Sequence, residues 1–235
     1  LWIGNKLSSM ELLTIKSFQD NGHDFHLWTY GPIETELPFG TIVRDANEII
    51  SHDKIFKYTG PANNGSYVGF ADIFRIAMLD KIGGWHVDMD VTCLRPFDFE
   101  SPIVFRKNNV WGHLTDNICK LTADTLFAKD FLQMAEELVT PENDDFLLAL
   151  AIFGVMVAKH KMQQYIVPES YFLNSHLGLM EIPKPYESCY AIHWGNSIIE
   201  RNKQFHKDHP VMGTVYETLL KRHKIPFDGG FDHML

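Results

Sequence analysis

Apolar and polar positions along the first part of the chain change between a helical and an alternating period. Ser8 or Ser9, followed by Glu11, is typical of a helix start, and this helix is expected to run to about Asp20. The alternating, β-rich segment Phe25–Tyr30 then predicts a strand. Further short elements are expected at Leu1–Gly4 (strand), Thr41–Arg44 (strand) and Ala46–Ile50 (helix). This order of strands and helices indicates an α/β sheet fold.

The most apolar helical pattern lies at Tyr67–Ile82, and we expect this helix to be buried on most of its circumference. Gly83-Gly84 ends it, and a strand is predicted over Trp85–Val91. The elements expected after it are a hairpin of Ile103–Phe105 with Val110–His113, helices at Ala128–Val139 and Asp144–Lys159, a strand at Tyr190–Trp194 and a helix at Val211–His223.

Composition narrows the class of protein. The chain has 235 residues, 45% hydrophobic and 22% charged, which is ordinary for a globular domain. Its formal net charge of -9 argues against a nucleic-acid partner and against a polybasic membrane patch. No apolar run is as long as a membrane span, and the scattered cysteines (3 in all) form no CxxC pair. These features lead us to expect a cytoplasmic protein.

Two carboxylates, Asp88 and Asp90, follow the apolar stretch and flank Met89. Oxygen ligands of this kind suit Mg²⁺ or Mn²⁺, which keep other coordination positions for the phosphate oxygens of a substrate. A pair of aspartates can also simply face solvent or cap a turn. Because it follows a glycine turn and a helix that carries charges, we interpret the pair as a metal–diphosphate site.

Asp72 and Arg75 lie one helical turn apart on that preceding helix. They can pair with each other, as charges at this spacing often do. Their neighbours are apolar, however, so the two charges are expected to be partly buried and to need partners. A bound sugar diphosphate would supply one.

Two aromatic segments carry further candidates. His193 follows the apolar run Tyr190–Ile192, where it is either a core histidine or a metal ligand, and Ser197 could contact a phosphate. Trp2, in the first expected strand, is either a core residue or a platform on which a nucleobase stacks.

Together these motifs resemble the retaining glycosyltransferases with a DXD sugar-binding region. That group includes yeast-type initiating mannosyltransferases, lactosylceramide galactosyltransferases and, more remotely, clostridial glucosylating toxins. Its pattern is an IWIG-like strand, a helix and strand reading (S/A)DxxRxxxLxxxGGxYxDxD, and a distal HxWxxSW. The chain has LWIG at 1–4, ADIFRIAMLDKIGGWHVDMD at 71–90 and HWGNS at 193–197. His86 replaces the usual aromatic residue, and Ile198 stands where a tryptophan is expected.

The resemblance implies a GT-A type, Rossmann-like mixed sheet flanked by helices, in a single domain over 1–235. Residues 1–100 would form the nucleotide-sugar half, and 101–235 the acceptor half with the distal motif. The implied activity is that of a metal-dependent hexosyltransferase of polysaccharide biosynthesis. It would move a sugar from a UDP-sugar, or a GDP-sugar, to a glycan or other hydroxyl acceptor with retention of configuration.

The resemblance also implies a role for each matching residue. The metal, Mn²⁺ or Mg²⁺, would be held by Asp88, Asp90 and His193. The residues implied for donor binding are Trp2, Ile3, Gly4, Asp72, Arg75, Asp88 and Ser197. Those implied for catalysis are Asp72, Arg75 and Asp90.

Two other classes of protein stay open at this point. The segment Asp88–Thr92 also fits the DxDx(T/V) nucleophile motif of haloacid-dehalogenase-type phosphatases, with Asp144-Asp145 as a distal metal pair. That motif normally ends the first strand of its domain, whereas here nearly ninety residues precede it. The third reading is a non-catalytic sugar-binding module with the same fold.

Overall fold

The computed structural model describes residues 1–108, 113–143, 145–175, 188–196 and 206–228. Its helices are α1 (Ser9–Asp20), α2 (Val68–Ile82), α3 (Leu126–Leu138), α4 (Leu148–Lys159) and α5 (Val215–Arg222). Its strands are β1 (His26–Thr29), β2 (Ile42–Asp45), β3 (Gly84–Val87), β4 (Val91–Cys93), β5 (Val104–Lys107), β6 (Leu114–Leu121), β7 (Phe172–Asn174) and β8 (Ala191–His193). No helix in these ranges is long and apolar enough to cross a membrane.

The chain folds as two compact units, each made of separate stretches of sequence. The first consists of Leu1, Asp45–Asp88 and Phe99–Glu169, and the second of Trp2–Arg44, Met89–Asp98 and Ser170–Leu235. Among the described residues the strands form the sheets β3-β6-β5, β4-β8-β7 and β1-β2. The expected α/β class is confirmed, and the sheet β4-β8-β7 is mixed, because β8 runs antiparallel to β4 and parallel to β7. The division of function between 1–100 and 101–235 stays a prediction.

In the first unit, β6 is the central strand and pairs antiparallel with both β3 and β5. Helix α4 packs on β6, and α3 packs between α2 and α4. The core of this layer is aromatic, with the ring of Phe153 lying 5.3 Å from the rings of both Phe105 and Phe127. This core holds β6 and α2, which carry most of the buried charges described below.

In the second unit, α1 packs against β4 and α5. Ser8, one of the two cap residues that the sequence offers, caps α1 through a capping box, with the Ser8 amide donating to Glu11 Oε2 over 2.7 Å. Trp194 is fully buried in this unit, and its ring lies 5.1 Å from that of Tyr216.

The structure corrects several predicted element bounds. The strand expected over Trp85–Val91 is two strands, β3 and β4, which pair with different partners and leave Asp88, Met89 and Asp90 in the connection. Strand β5 pairs with Leu114–Leu121, whereas residues 110–112 of the expected partner Val110–His113 lie outside the described residues. The helix expected from Asp144 begins at Leu148, because Asp145 forms a turn by accepting from the Leu147 amide.

Candidate functional site

The connection between β3 and β4 carries both aspartates of the DxD motif, and each is fixed by its own unit. The Asp88 amide donates to the carbonyl of Asn117 on β6 over 2.9 Å. The Asp90 carbonyl accepts from the Trp194 amide over 2.9 Å. The aspartates therefore lie not in one strand over Trp85–Val91, as the sequence predicted, but in a turn that is hydrogen-bonded to β6 on one side and to Trp194, the residue after β8, on the other.

Helix α2 brings a buried arginine to the first of these aspartates. Arg75 Nη2 lies 3.1 Å from Asp88 Oδ1 and 3.1 Å from Asp72 Oδ1. Arg75 Nη1 lies 2.6 Å from Oδ1 of Asp116, a residue of β6. The simple pair of Asp72 and Arg75 weighed from the sequence is thus one part of a larger cluster. The buried guanidinium finds its partners within the protein.

The charges of this cluster perturb one another strongly. Burial raises the pKa of Asp72 well above its ordinary value and also raises that of Asp116, although Arg75 opposes both shifts. Burial alone would lower the pKa of Arg75, but the carboxylates of Asp116, Asp88 and Asp72 raise it above its ordinary value. The guanidinium is therefore permanently charged, and the carboxylates compete for it.

His86 holds the same oxygen of Asp88 from β3. Its Nε2 lies 3.0 Å from Asp88 Oδ1, and the side chain is buried. Burial lowers the pKa of His86 to about 4, so the ring is neutral near pH 7 and donates one hydrogen bond. At the position where the resembling family has an aromatic residue, this chain has a donor to the first aspartate.

The second unit presents Asp90 with His193, which the sequence places about a hundred residues away. His193 Nε2 lies 3.3 Å from Asp90 Oδ2, and the Asn196 amide donates to the same oxygen over 2.7 Å. His193 Nδ1 lies 3.0 Å from Asn174 Oδ1, which can only accept, so Nδ1 carries a hydrogen and donates it to Asn174. Nε2 is then the ring nitrogen directed at Asp90 Oδ2, and a carboxylate oxygen this close to an imidazole nitrogen can share a proton or a cation with it.

The support for this pair comes from β4, β8 and β7. His193 of β8 lies opposite Val91 of β4 on one side and opposite Asn174 of β7 on the other. The Trp194 indole donates to Thr92 Oγ1 over 2.8 Å, and both side chains are fully buried. Because Thr92 lies two residues after Asp90 and Trp194 directly follows His193, this contact restrains the backbone next to both members of the Asp90–His193 pair.

The remaining predicted donor residues lie near the start of the chain or outside the described ranges. Trp2 forms a parallel bridge with Thr29, the last residue of β1, and its indole donates to the Lys6 carbonyl over 3.0 Å. Ile3 is partly exposed and Gly4 is exposed. Ser197 lies outside the described residues, as does Asp144 of the phosphatase reading.

Asp116 and Asn174 are functional candidates that the sequence did not indicate. The only local signal for Asp116 is that it is an acidic residue within LTDNICKL, the segment that forms β6. Nothing local marks Asn174, because its importance comes from the pairing of β7 with β8.

Residues 11–113 match the family model described as the glycosyltransferase sugar-binding region containing a DXD motif. This match includes Asp72, Arg75, Asp88 and Asp90, and it confirms the resemblance expected from the sequence. No match was found among curated protein sequences. A solved structure described as PaToxG Glycosyltransferase aligns with 68% of this chain and 66% of its own, at 13% identity and a TM-score of 0.48.

Proposed function

We propose that the protein is a metal-dependent glycosyltransferase, because residues 11–113 match the model of the glycosyltransferase sugar-binding region that contains a DXD motif. The donor is a nucleotide sugar, a UDP-sugar in preference to a GDP-sugar. The acceptor is a glycan or another hydroxyl compound. The transfer retains the configuration at the sugar carbon, and the transferred group is a hexose.

The observation that carries this proposal is the pairing of Asp90 with His193. Asp90 Oδ2 and His193 Nε2 lie 3.3 Å apart, and a carboxylate oxygen beside an imidazole nitrogen supplies two of the ligands that a cation site needs. Asp88 is two residues away along the chain and adds a second carboxylate. Carboxylates with one imidazole suit Mn²⁺, and Mg²⁺ accepts the same oxygen ligands.

The residues Asp88, Asp90 and His193 would therefore hold the cation. When bound, it supplies positive charge to the diphosphate that leaves with the nucleoside. The protein's own contribution is orientation, since Asn174 sets the His193 ring and the Asn196 amide holds Asp90. Arg75 and His86 hold Asp88 in the same way from the first unit.

The donor contacts inferred from the family pattern complete the proposal. Asp72 and Arg75 hold hydroxyls of the donor sugar, and Trp2 lies against the base, with Ile3 and Gly4 beside it. Ser197 contacts the diphosphate. Asp72 supports this role through its position, since its carboxylate shares Arg75 Nη2 with Asp88.

A screen of nucleotide sugars with Mn²⁺ tests this function, with release of nucleoside diphosphate as the signal. We expect release with one or a few donors, its loss in EDTA, and its loss in Asp90→Asn. Asp124→Asn is the matched control, because it removes the same charge from an exposed residue that precedes the N-cap of α3. Binding of a donor without release would indicate a sugar-binding module instead. Turnover of p-nitrophenyl phosphate, inhibited by beryllium fluoride, would indicate a phosphatase.

A further inference from the structure

Asp116 is a buried carboxylate to which the family pattern assigns no role. It lies on the central strand β6 and is 1% exposed. Its Oδ1 accepts from Arg75 Nη1, whereas its Oδ2 has no hydrogen-bond partner within the described residues. Burial of a carboxylate is unfavourable unless a charged partner offsets it, so the contact with Arg75 is what makes this position tolerable.

Strand β6 reaches the first aspartate of the motif by two routes. Directly, the Asn117 carbonyl accepts from the Asp88 amide. Indirectly, Asp116 holds Nη1 of Arg75, whose Nη2 contacts Asp88 Oδ1 over 3.1 Å. The guanidinium is planar and rigid, so fixing the direction of Nη1 also fixes the direction of Nη2.

We infer that Asp116 is a positioning residue, which acts through Arg75 to set the orientation of the Asp88 carboxylate. The hydrogen-bond acceptor at position 116 performs this role, and the backbone contact from Asn117 holds the main chain of Asp88 at the same time. The consequence for cation binding rests on the function proposed above. Partners that orient a metal ligand typically change metal affinity by about 10- to 100-fold when they are removed.

Two substitutions at this position separate the acceptor from the charge. Asp116→Asn keeps an oxygen that can accept from Arg75, whereas Asp116→Ala removes it. His86 reports on Asp88 without any metal, because its Nε2 contacts Asp88 Oδ1. In metal-free protein we expect the imidazole NMR signals of His86 to move clearly in Asp116→Ala and only slightly in Asp116→Asn. The control Asp124→Asn should leave them in place.

The affinity for Mn²⁺, measured by calorimetry on the same folded variants, is the second readout. We expect Asp116→Ala to weaken it by about tenfold or more, and Asp116→Asn to restore most of the loss. In an Arg75→Lys background, Asp116→Ala should change neither readout further, because its effect passes through the guanidinium. Asp116→Val, which also lacks an acceptor for Nη1 and suits a strand, replaces alanine if that variant does not fold.

Equal effects of Asn and Ala would overturn the inference, because the charge rather than the acceptor would then be responsible. An effect of Asp116→Ala that persists undiminished beside Arg75→Lys would also overturn it. The wild-type protein separates this result from the proposed function. If it binds no Mn²⁺, the proposed function fails, while the His86 signals still decide whether Asp116 positions Asp88.

Discussion

Arg75 is the residue that balances the buried carboxylates of the first unit. Its side chain contacts Asp72, Asp88 and Asp116, and it is 7% exposed. Removing one partner from a buried ionic cluster leaves uncompensated charge, which typically costs about 3–5 kcal/mol. We therefore expect Arg75→Met to lower the free energy of unfolding by roughly that amount in urea titrations.

A second substitution shows whether Asp72 and Arg75 form an isolated pair. In that case Asp72→Asn, added to Arg75→Met, would return most of the lost stability. We expect little recovery of stability, because Asp88 and Asp116 still lack the positive charge of Arg75. A double variant as stable as the wild type would contradict the cluster and favour the isolated pair.

Trp194 is a second single residue with a measurable effect on stability, because its side chain connects the distal motif to β4. Its indole donates to Thr92 Oγ1 where both side chains are fully buried. Trp194→Phe removes the donor and leaves the threonine oxygen without it, for a cost of about 1–3 kcal/mol. Thermal unfolding of Trp194→Phe against Trp85→Phe, a substitution at a partly exposed indole, measures this contribution. Equal stability of the two variants would show that the hydrogen bond contributes nothing.

At the scale of elements, both ends of α2 are packed so tightly that a glycine there has no room for a side chain. A Cβ on Gly69 would lie 2.4 Å from Tyr58 Oη and 2.9 Å from Val139 Cγ1. At the other end Gly83 has φ +67, and a Cβ there would lie 2.9 Å from the Ala123 amide. Alanine is the better helix former, so a destabilising Gly69→Ala would be due to the contacts.

We expect Gly69→Ala to cost about 1–3 kcal/mol, because the tyrosine and valine must move. Gly154→Ala in α4 is the control, since a Cβ there meets nothing within 4 Å. Urea denaturation of both variants measures the difference. A stabilised Gly69→Ala would show that α2 has more room than its packing indicates.

The elements also show which parts of the fold could be predicted. The predicted bounds of α1 agree with the structure to within a residue, because a serine cap followed by Glu11 in the first turn is a local signal. The break between β3 and β4 was missed, because their partner strands, β6 and β8, come later in the chain. Asp72, Arg75 and the aspartates were found through their spacing, whereas Asp116 and Asn174 are brought in by strand pairing that no local pattern encodes.

For the whole molecule, the proposed cation links binding to folding. A ligand that binds only the folded protein stabilises it by about 2.7 kcal/mol at a hundred times its dissociation constant. We expect saturating Mn²⁺ to raise the melting temperature of the wild type and of Asp124→Asn. It should leave that of Asp90→Asn unchanged, because that variant lacks a ligand charge. An equal rise in all of them would place the ion elsewhere.

Calorimetric titration of a UDP-sugar, with Mn²⁺ and then with EDTA, tests the metal–diphosphate site most directly. The comparison uses the wild type, Asp90→Asn and the control Asp124→Asn. We predict binding by the wild type and by the control only when Mn²⁺ is present, and its loss in Asp90→Asn. Donor binding by the wild type that EDTA leaves unchanged would contradict the account.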